Sequence, residues 1–351
     1  MRPRFKLRTL LVVVTLCCAA LGGWRWYTEP YRQAKVVNNE LQKLGAVTKT
    51  EAVVFPKWMQ WVPWTHDCIR ITHVSSYPMS DHYPGYSEYD LRNRDLDDRV
   101  LEACGRVNTI ESITLPDTKI TDAGLAHLSG MTTLKWIALY DTAISDAGLA
   151  HLSQLSNLSS LDVHQTHVTD KGLAHLVSLK KLLSLNAGSR YLTDKCGQSL
   201  RECRALERLS LSGPSFTDQL LRELKDLSLK EFSLYGSQAT GSTLADMQGW
   251  RELEMLNLNM NHVTDASLEN LSLFPKLNYL ELFEPDLTDE SADHIAKLPK
   301  LSNLSLHWSG FTDNGIAKLK AALPKCHIQF SPRVSGDYAR QEREKIWTNK
   351  K

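Results

Sequence analysis

The sequence predicts an α/β fold: a right-handed, horseshoe-shaped solenoid in which each unit contributes one parallel strand and one helix. Two observations lead to it. A Thr-Asp or Ser-Asp anchor recurs along the 351-residue chain in steps of 24 residues, with one step of 23. A leucine pattern, LxxLxL or a close variant, begins eleven residues before the anchor in most units. A unit this short cannot close a hydrophobic core alone, so the units must stack on one another.

The leucine pattern predicts the strand of each unit. Its final x-L-x-L-x portion alternates with a period of two, as in Leu158, Leu161 and Val163. That alternation is typical of a short strand with one buried face. The leucines then point into the core, and the residues between them form the open, concave face of the sheet.

The anchor predicts the start of the helix. Apolar residues follow it at helical spacing, as in Leu125, Leu128 and Met131. The anchor aspartate, Asp122 in this unit, stands where an N-cap residue is expected. Its carboxylate would accept hydrogen bonds from the free N–H groups of the first turn.

The combined pattern LxxLxLxxTxVTDxGLxxL resembles a leucine-rich repeat, of the short, helix-bearing class that includes the cysteine-containing repeats of F-box proteins and their bacterial relatives. The resemblance covers 221 residues, from Ile110 to Phe330. The cysteine-containing class has a Cys after the strand, where this chain has Thr118, Thr142 and Thr166. A basic and then apolar N-terminus followed by such repeats is also similar to bacterial membrane-anchored leucine-rich repeat proteins.

Four segments are expected along the chain: an anchor or signal segment (1–28), a helical, Trp-rich N-terminal cap with a Tyr/Pro loop (29–85), the repeat domain (86–330, clear from 110), and a polar C-terminal tail (331–351). The cap begins with an amphipathic helix over residues 29–44 that ends at Gly45. Three tryptophans follow at Trp58, Trp61 and Trp64. These tryptophans are expected either to cap the exposed end of the solenoid core or to form a patch that inserts into a membrane surface.

A first, divergent unit is predicted by subtracting 24 residues from the first clear one. The strand of this unit would then run through Tyr86, Tyr89 and Leu91. Asp98 and Leu101 would occupy the anchor and helix positions, and Cys104 a core position. At the opposite end, residues 326–330 are interpreted as a last half-unit.

The N-terminal segment predicts a membrane tether through residues 9–27. Four basic residues precede an uncharged run of sixteen, Thr9 to Trp24. As a helix this run spans about 24 Å, and Trp26 and Tyr27 would extend it into the far interface. We expect a single-pass membrane protein whose repeat domain is extracytoplasmic. Two alternatives stay open: a cleaved signal peptide, which would leave the chain periplasmic or secreted, and a cytosolic chain.

Composition and motifs exclude several classes of function. With 41 Lys and Arg against 40 Asp and Glu, the net charge of +1 provides no field for nucleic acid. No GxSxG, HExxH or GxGxxG motif is present, so neither an enzyme nor a cofactor is predicted. His127, His151 and His175 share one helix position, which holds polar residues in other units, and no metal site is predicted there. Whether Cys68 pairs with Cys104 is left open.

The residues predicted to face outward form three columns across the sheet. Small polar residues dominate the middle column, and aromatic residues occupy positions beside it. Aromatic side chains among small polar ones are typical of binding surfaces, although strands favour aromatic residues in any case. The predicted partner-binding residues are Trp136, Tyr140, Asp162, His164, Asn186, Tyr235, Asn257, Tyr279, Glu281, Phe283 and His307.

The function expected from these features is non-enzymatic binding of a protein or peptide on the concave sheet of a membrane-tethered module. An alternative is an envelope structural or self-association protein. A second alternative, implied by the F-box resemblance, is a substrate-recognition subunit of a ubiquitin-ligase-like complex. The oligomeric state is not predicted.

Overall fold

The computed structural model describes residue 29 and residues 32–52, 69–76, 94–284 and 286–332. In this part of the chain, twelve strands form one sheet in which strand order follows chain order. The first pair, β1 and β2, is antiparallel, and every later pair is parallel. The strands are β1 Val47–Ala52, β2 Ile69–Ser75, β3 Ser112–Thr114, β4 Trp136–Ala138, β5 Ser160–Asp162, β6 Ser184–Gly188, β7 Arg208–Ser212, β8 Glu231–Tyr235, β9 Met255–Asn259, β10 Tyr279–Phe283, β11 Asn303–Ser309 and β12 His327–Pro332.

The strand register follows the repeat. Ser112 pairs with Trp136, Trp136 with Ser160, and the same column continues to Asn303 in β11. The leucines of the LxxLxL pattern line a continuous core, and from Leu134 to Leu306 none of the leucines in this pattern is more than 6% exposed. The predicted α/β solenoid of stacked leucine-rich units is therefore confirmed.

Short helices cover the other side of the core. They are α1 (32–43), α2 Asp98–Cys104, α3 Asp122–Ala126, α4 Asp146–Leu152, α5 Asp170–Ala174, α6 Cys196–Leu200, α7 Asp218–Leu224, α8 Ser291–Ile295 and α9 Asp313–Ala322. Between α7 and α8 the chain forms 3₁₀ helices instead, at Leu244–Asp246, Trp250–Glu252 and Asp265–Leu273. The expectation of one helix per unit holds, but two units depart from α geometry.

The prediction that the anchor aspartate caps its own helix is wrong. The N-cap is the residue before it: the Thr121 side chain accepts a hydrogen bond from the N–H of Ala123, and Asp122 is the first helical residue. The Asp122 carboxylate instead accepts bonds from the next unit, from Ser145 N at 2.7 Å and Ser145 Oγ at 2.6 Å. We call this recurring contact the Asp–Thr ladder. Its aspartates are Asp98, Asp122, Asp146, Asp170, Asp194, Asp218, Asp265 and Asp289.

The ladder explains the glycine two residues after the aspartate in several anchors. A Cβ at Gly148 would overlap Oδ1 of Asp122 in the preceding unit, and Gly124 and Gly172 have the same relation to the aspartates before them. At these three positions glycine leaves room for the carboxylate of the preceding unit.

The ladder has one interruption, where Gly241 replaces the aspartate. Thr264, one unit later, therefore has no aspartate partner in the described chain. Its N–H donates instead to Oγ of Ser267, in its own unit. We call residues 240–264 the interrupted junction. Here the buried ring of Trp250 packs 4.6 Å from Phe232, between ring centroids, and its Nε1 donates to the carbonyl of Leu224 at 3.1 Å.

The turn after each strand also differs along the chain. In the early units a buried threonine bonds within its own unit, as Thr142 Oγ1 does to the carbonyl of Leu139 at 2.6 Å. At the interrupted junction the corresponding residue is the buried Asn261. Its Oδ1 accepts from both N and Oγ of Ser237, at 3.1 and 2.6 Å, and its Nδ2 donates to the carbonyl of Leu234. The bond between units is thus made on the strand side.

The N-terminal end differs from the predicted first unit. Helix α1 buries Ala34, Val37 and Leu41, and the chain turns at Gly45, whose φ is +88°. Helix α2 places Asp98, Leu101 and Cys104 as expected, since the latter two are fully buried. The expected strand at residues 86–91 lies outside the described residues. The strand that pairs with β3 is β2, with Val74 opposite Ile113. Val74 precedes Ile113 by 39 residues, so this unit carries an insertion that fixed 24-residue spacing cannot locate.

Several predictions fall outside the described residues: the tryptophans Trp58, Trp61 and Trp64, the tail from 333 onward, and the apolar run at 9–27. In the described ranges, none of the helices has the length and apolar character needed to cross a membrane. The half-unit at the C-terminal end is confirmed as β12, which pairs with β11.

Three cysteines of the repeats are buried thiols. Cys104, Cys196 and Cys203 are free and buried in the structure. Burial raises the pKa of Cys104 to about 12 and that of Cys203 to about 11. These thiols therefore act as core side chains, and Cys68, the possible partner of Cys104, lies outside the described residues.

Candidate functional site

The side chains between the leucines form the outer surface of the sheet, which we call the strand face. Every predicted partner-binding residue is exposed or half-buried on this surface. Trp136 is the most open, at 45% exposed, and Tyr235 follows at 37%. The others are half-buried, since they pack against one another across neighbouring strands.

One group of these residues, the His164 cluster, joins Tyr140, Asp162, His164 and Asn186 across β4 to β6. The rings of Tyr140 and His164 stack with centroids 4.6 Å apart. Nδ1 of His164 lies 2.7 Å from Oδ1 of Asp162, and Nδ2 of Asn186 donates to Oδ2 of the same carboxylate at 3.0 Å. The cluster holds a carboxylate and an imidazole in fixed positions at the surface.

A groove of about 790 Å³ opens beside this cluster. Its lining includes three small side chains, Ser210, Ser212 and Ser233. Three predicted residues, His164, Asn186 and Tyr235, also line it. The rest of the lining includes residues of the turns after the strands that the sequence analysis did not select: Thr142, Gln165, His167, Arg190 and Tyr191.

A second group, the Glu281 cluster, joins Asn257, Asn259, Tyr279 and Glu281 on β9 and β10. The Glu281 carboxylate accepts from Asn257 Nδ2 at 3.1 Å, Asn259 Nδ2 at 2.9 Å and the Tyr279 hydroxyl at 3.0 Å. Burial, together with the adjacent Glu281 charge, raises the pKa of Tyr279. The tyrosine therefore stays protonated and serves as a hydrogen-bond donor to the carboxylate.

Aromatic side chains continue this surface towards the C-terminal end. The Phe283 ring lies 4.7 Å from that of Trp308 and 6.3 Å from that of His307, between centroids. Nδ1 of His307 also lies 3.0 Å from Oγ of Ser331 on β12. Trp308 adopts a φ of +51° at the point where the register of β11 shifts, which brings its ring to Phe283.

The structure thus brings most of the predicted residues into two clusters rather than one continuous line. Asn259, which belongs to the third predicted column but was not selected, is part of the Glu281 cluster. Its position opposite Phe283, diagonal to Glu281, was readable from the repeat register. The loop residues Arg190 and Tyr191 carry no periodic signal and were missed for that reason.

The strand face suits hydrogen bonding and aromatic contact. The three columns of β3–β11 contain three carboxylates, Asp162, Glu231 and Glu281, but only one guanidinium, that of Arg208. Among the residues that the structure describes, no group of three or more His, Cys, Asp or Glu side chains could hold a metal ion.

Comparisons with known proteins give similarity at the level of fold. No protein-family model matches the sequence. No curated protein matches it either. Internalin C2 of Listeria monocytogenes is 20% identical over 60% of this chain and 80% of its own, with a TM-score of 0.44. The internalin InlF of the same organism is 18% identical over 74% of this chain and 87% of its own, with a TM-score of 0.40. A leucine-rich repeat protein of Leptospira interrogans, LIC12759, is 17% identical over 65% of this chain and 74% of its own, with a TM-score of 0.37.

The fold itself rests on the chain's own features. Parallel strands pair in the register set by the repeat, short helices cover the opposite side, and the pattern leucines are buried between them. On these grounds the chain is a leucine-rich repeat solenoid.

Proposed function

We propose that the strand face binds a protein or peptide segment, and that the chain acts by this binding without catalysis. The observation that carries the proposal is the aromatic surface that Trp136, Tyr140 and Tyr235 present on the strand face, where a groove lined by Tyr235 and His164 opens. Rings that bury large area beside fixed hydrogen-bonding groups are the usual anchors of protein interfaces. An extended sheet also suits an extended partner better than it suits catalysis, which usually takes place in an enclosed pocket.

The proposal includes a membrane tether through residues 9–27, with the repeats outside the cytoplasm. The basic residues before the apolar run support this orientation. Cell fractionation of the full-length chain and of a variant lacking residues 1–28 tests it: the full chain should stay with membranes and the shortened chain should not. The mass of the mature protein separates an uncleaved tether from a removed signal peptide.

The binding proposal is tested with peptides selected from a random display library on the immobilised full-length chain. A Trp136→Ala, Tyr140→Ala double variant should bind the selected peptides at least about tenfold more weakly, because aromatic anchors dominate interface energies. Leu273→Ala is the matched control. Leu273 is also large, apolar and exposed, at 47%, but it lies on the helix side.

Thermal unfolding should show all variants folded, since the side chains removed are at the surface. Equal binding by the double variant and by Leu273→Ala would contradict the proposal. So would a concentration-dependent oligomer that excludes peptides, because the strand face would then bind another copy of the chain.

A further inference from the structure

The Glu281 carboxylate differs from other glutamates that bridge neighbouring units. Glu111, Glu207 and Glu252 each form an ion pair with a lysine one unit later, at 2.8, 2.9 and 2.5 Å. Glu281 forms no such pair among the described residues. Its three bonds come from neutral groups, two amides and one hydroxyl. A half-buried negative charge is thus held in place without a cation.

The amides around this carboxylate leave acceptors without donors. Asn259 is only 7% exposed and directs its Nδ2 to Glu281, while its Oδ1 has no hydrogen-bond partner within the described structure. The same is true of Oδ1 of Asn257. A buried acceptor without a partner is costly, and it indicates that a donor is missing. The cluster therefore contains two buried amide oxygens that no donor of the described residues reaches.

Aromatic rings stand on both sides of the carboxylate. Tyr279, Glu281 and Phe283 alternate on β10, so their side chains emerge on one face of the sheet at intervals of about 7 Å. Rings at such distances attract a cation through their π faces, most strongly where water is partly excluded. The excess of carboxylates over guanidinium on the strand face acts in the same direction, although the whole chain is nearly neutral.

We infer that the Glu281 cluster is a binding site for a cationic side chain, the ammonium of a lysine or the guanidinium of an arginine, presented by a protein partner. The cation sits over the Glu281 carboxylate between the Tyr279 and Phe283 rings and supplies the N–H donors that the cluster lacks. This inference rests on the proposed function, and it gives the partner segment a basic residue as its chemical signature.

The test uses three fluorescent octapeptides in which glycine alternates with lysine, arginine or glutamine, and measures their binding to the full-length chain by fluorescence anisotropy. The lysine and arginine peptides should bind, and the glutamine peptide should bind at least about tenfold more weakly. The two basic peptides report whether ammonium or guanidinium is preferred, and binding of either supports the site.

Three variants locate the binding. Glu281→Gln should weaken the basic peptides by about tenfold, because it removes the charge and keeps the size. Phe283→Leu, which leaves the hydrogen bonds intact, should weaken them about threefold through loss of the ring. Glu269→Gln removes the same charge from an exposed position on the helix side and should change binding less than about twofold.

Equal binding of the glutamine and lysine peptides would overturn the inference. An equal loss in Glu281→Gln and Glu269→Gln would also overturn it, since the attraction would then be diffuse. If library peptides depend on Trp136 and Tyr140 but show no need for a basic residue, the inference fails and the proposed function stands. If no peptide depends on either cluster, both fail.

Discussion

In the early repeats and at the interrupted junction, the side-chain bonds between neighbouring units lie on opposite sides of the solenoid. From Asp98 to Asp218, each unit is tied to the next on the helix side, where an aspartate accepts hydrogen bonds from the Thr or Ser of the next anchor. At residues 240–264 the aspartate is absent, the helices become 3₁₀ segments, and the tie moves to the strand side at Asn261. The difference teaches that these α-helices of five to seven residues depend on the ladder, since helices this short are not stable by propensity.

The strand-side tie gives the largest expected effect. Asn261→Ala should lower the free energy of unfolding by about 2–4 kcal/mol, because it leaves buried groups of Ser237 and Leu234 without partners. The matched change in the early repeats is Thr142→Val, which removes one bond within a single unit and should cost about 0.5–1.5 kcal/mol. Urea unfolding measures both. Similar losses for the two variants would show that Asn261 does not join units.

The ladder gives the next effect. Asp146→Ala removes the bonds to Thr169 N and Oγ1, both 2.7 Å long, and should cost about 1–3 kcal/mol. Asp313→Ala is the control, because Asp313 begins the last helix and no later helix follows it in the described chain. That variant should lose only the favourable charge at a helix N-terminus, about 0.3–1 kcal/mol. Equal losses would mean that the aspartates act on their own helices.

The smallest effect concerns repair of the interruption. Gly241 has a φ of +76°, a conformation that side chains disfavour. Gly241→Asp should therefore destabilise the chain by about 1 kcal/mol rather than restore the ladder. Comparison with Gly241→Ala by thermal unfolding separates the strain from any gain by the carboxylate. A stabilised Gly241→Asp would show that the missing aspartate alone causes the 3₁₀ geometry.

Much of the fold follows from periodicity, and the exceptions have physical causes. Leu134, Leu158 and the other pattern leucines predict the strands and the core because burial requires the same residue at every unit. Periodicity does not distinguish Thr121 from Asp122 as the cap, since both side chains can accept the bond. It also fails at the first unit, where an insertion separates Val74 from Asp98 and only the folded sheet shows that β2 supplies the strand.

The strand face was predictable residue by residue, but its grouping was not. Tyr140 and His164 stand in one column, so their contact follows from register. The convergence of Asn257, Asn259 and Tyr279 on Glu281 depends on rotamers, which a sequence pattern does not specify. The groove depends on turn residues such as Arg190, whose positions follow no repeat.

Within the described chain, each ladder aspartate bonds to the unit that follows it and to no more distant unit. The ladder therefore requires no contacts between distant units, and the length of the solenoid can change by whole repeats. A second copy of residues 122–145 inserted after the first would offer its neighbours the same carboxylate, hydroxyl and glycine that they already meet. The spacing between the His164 cluster and the Glu281 cluster would then stay fixed while the N-terminal arm grew, so a binding surface of this kind can change its reach without changing what it recognises.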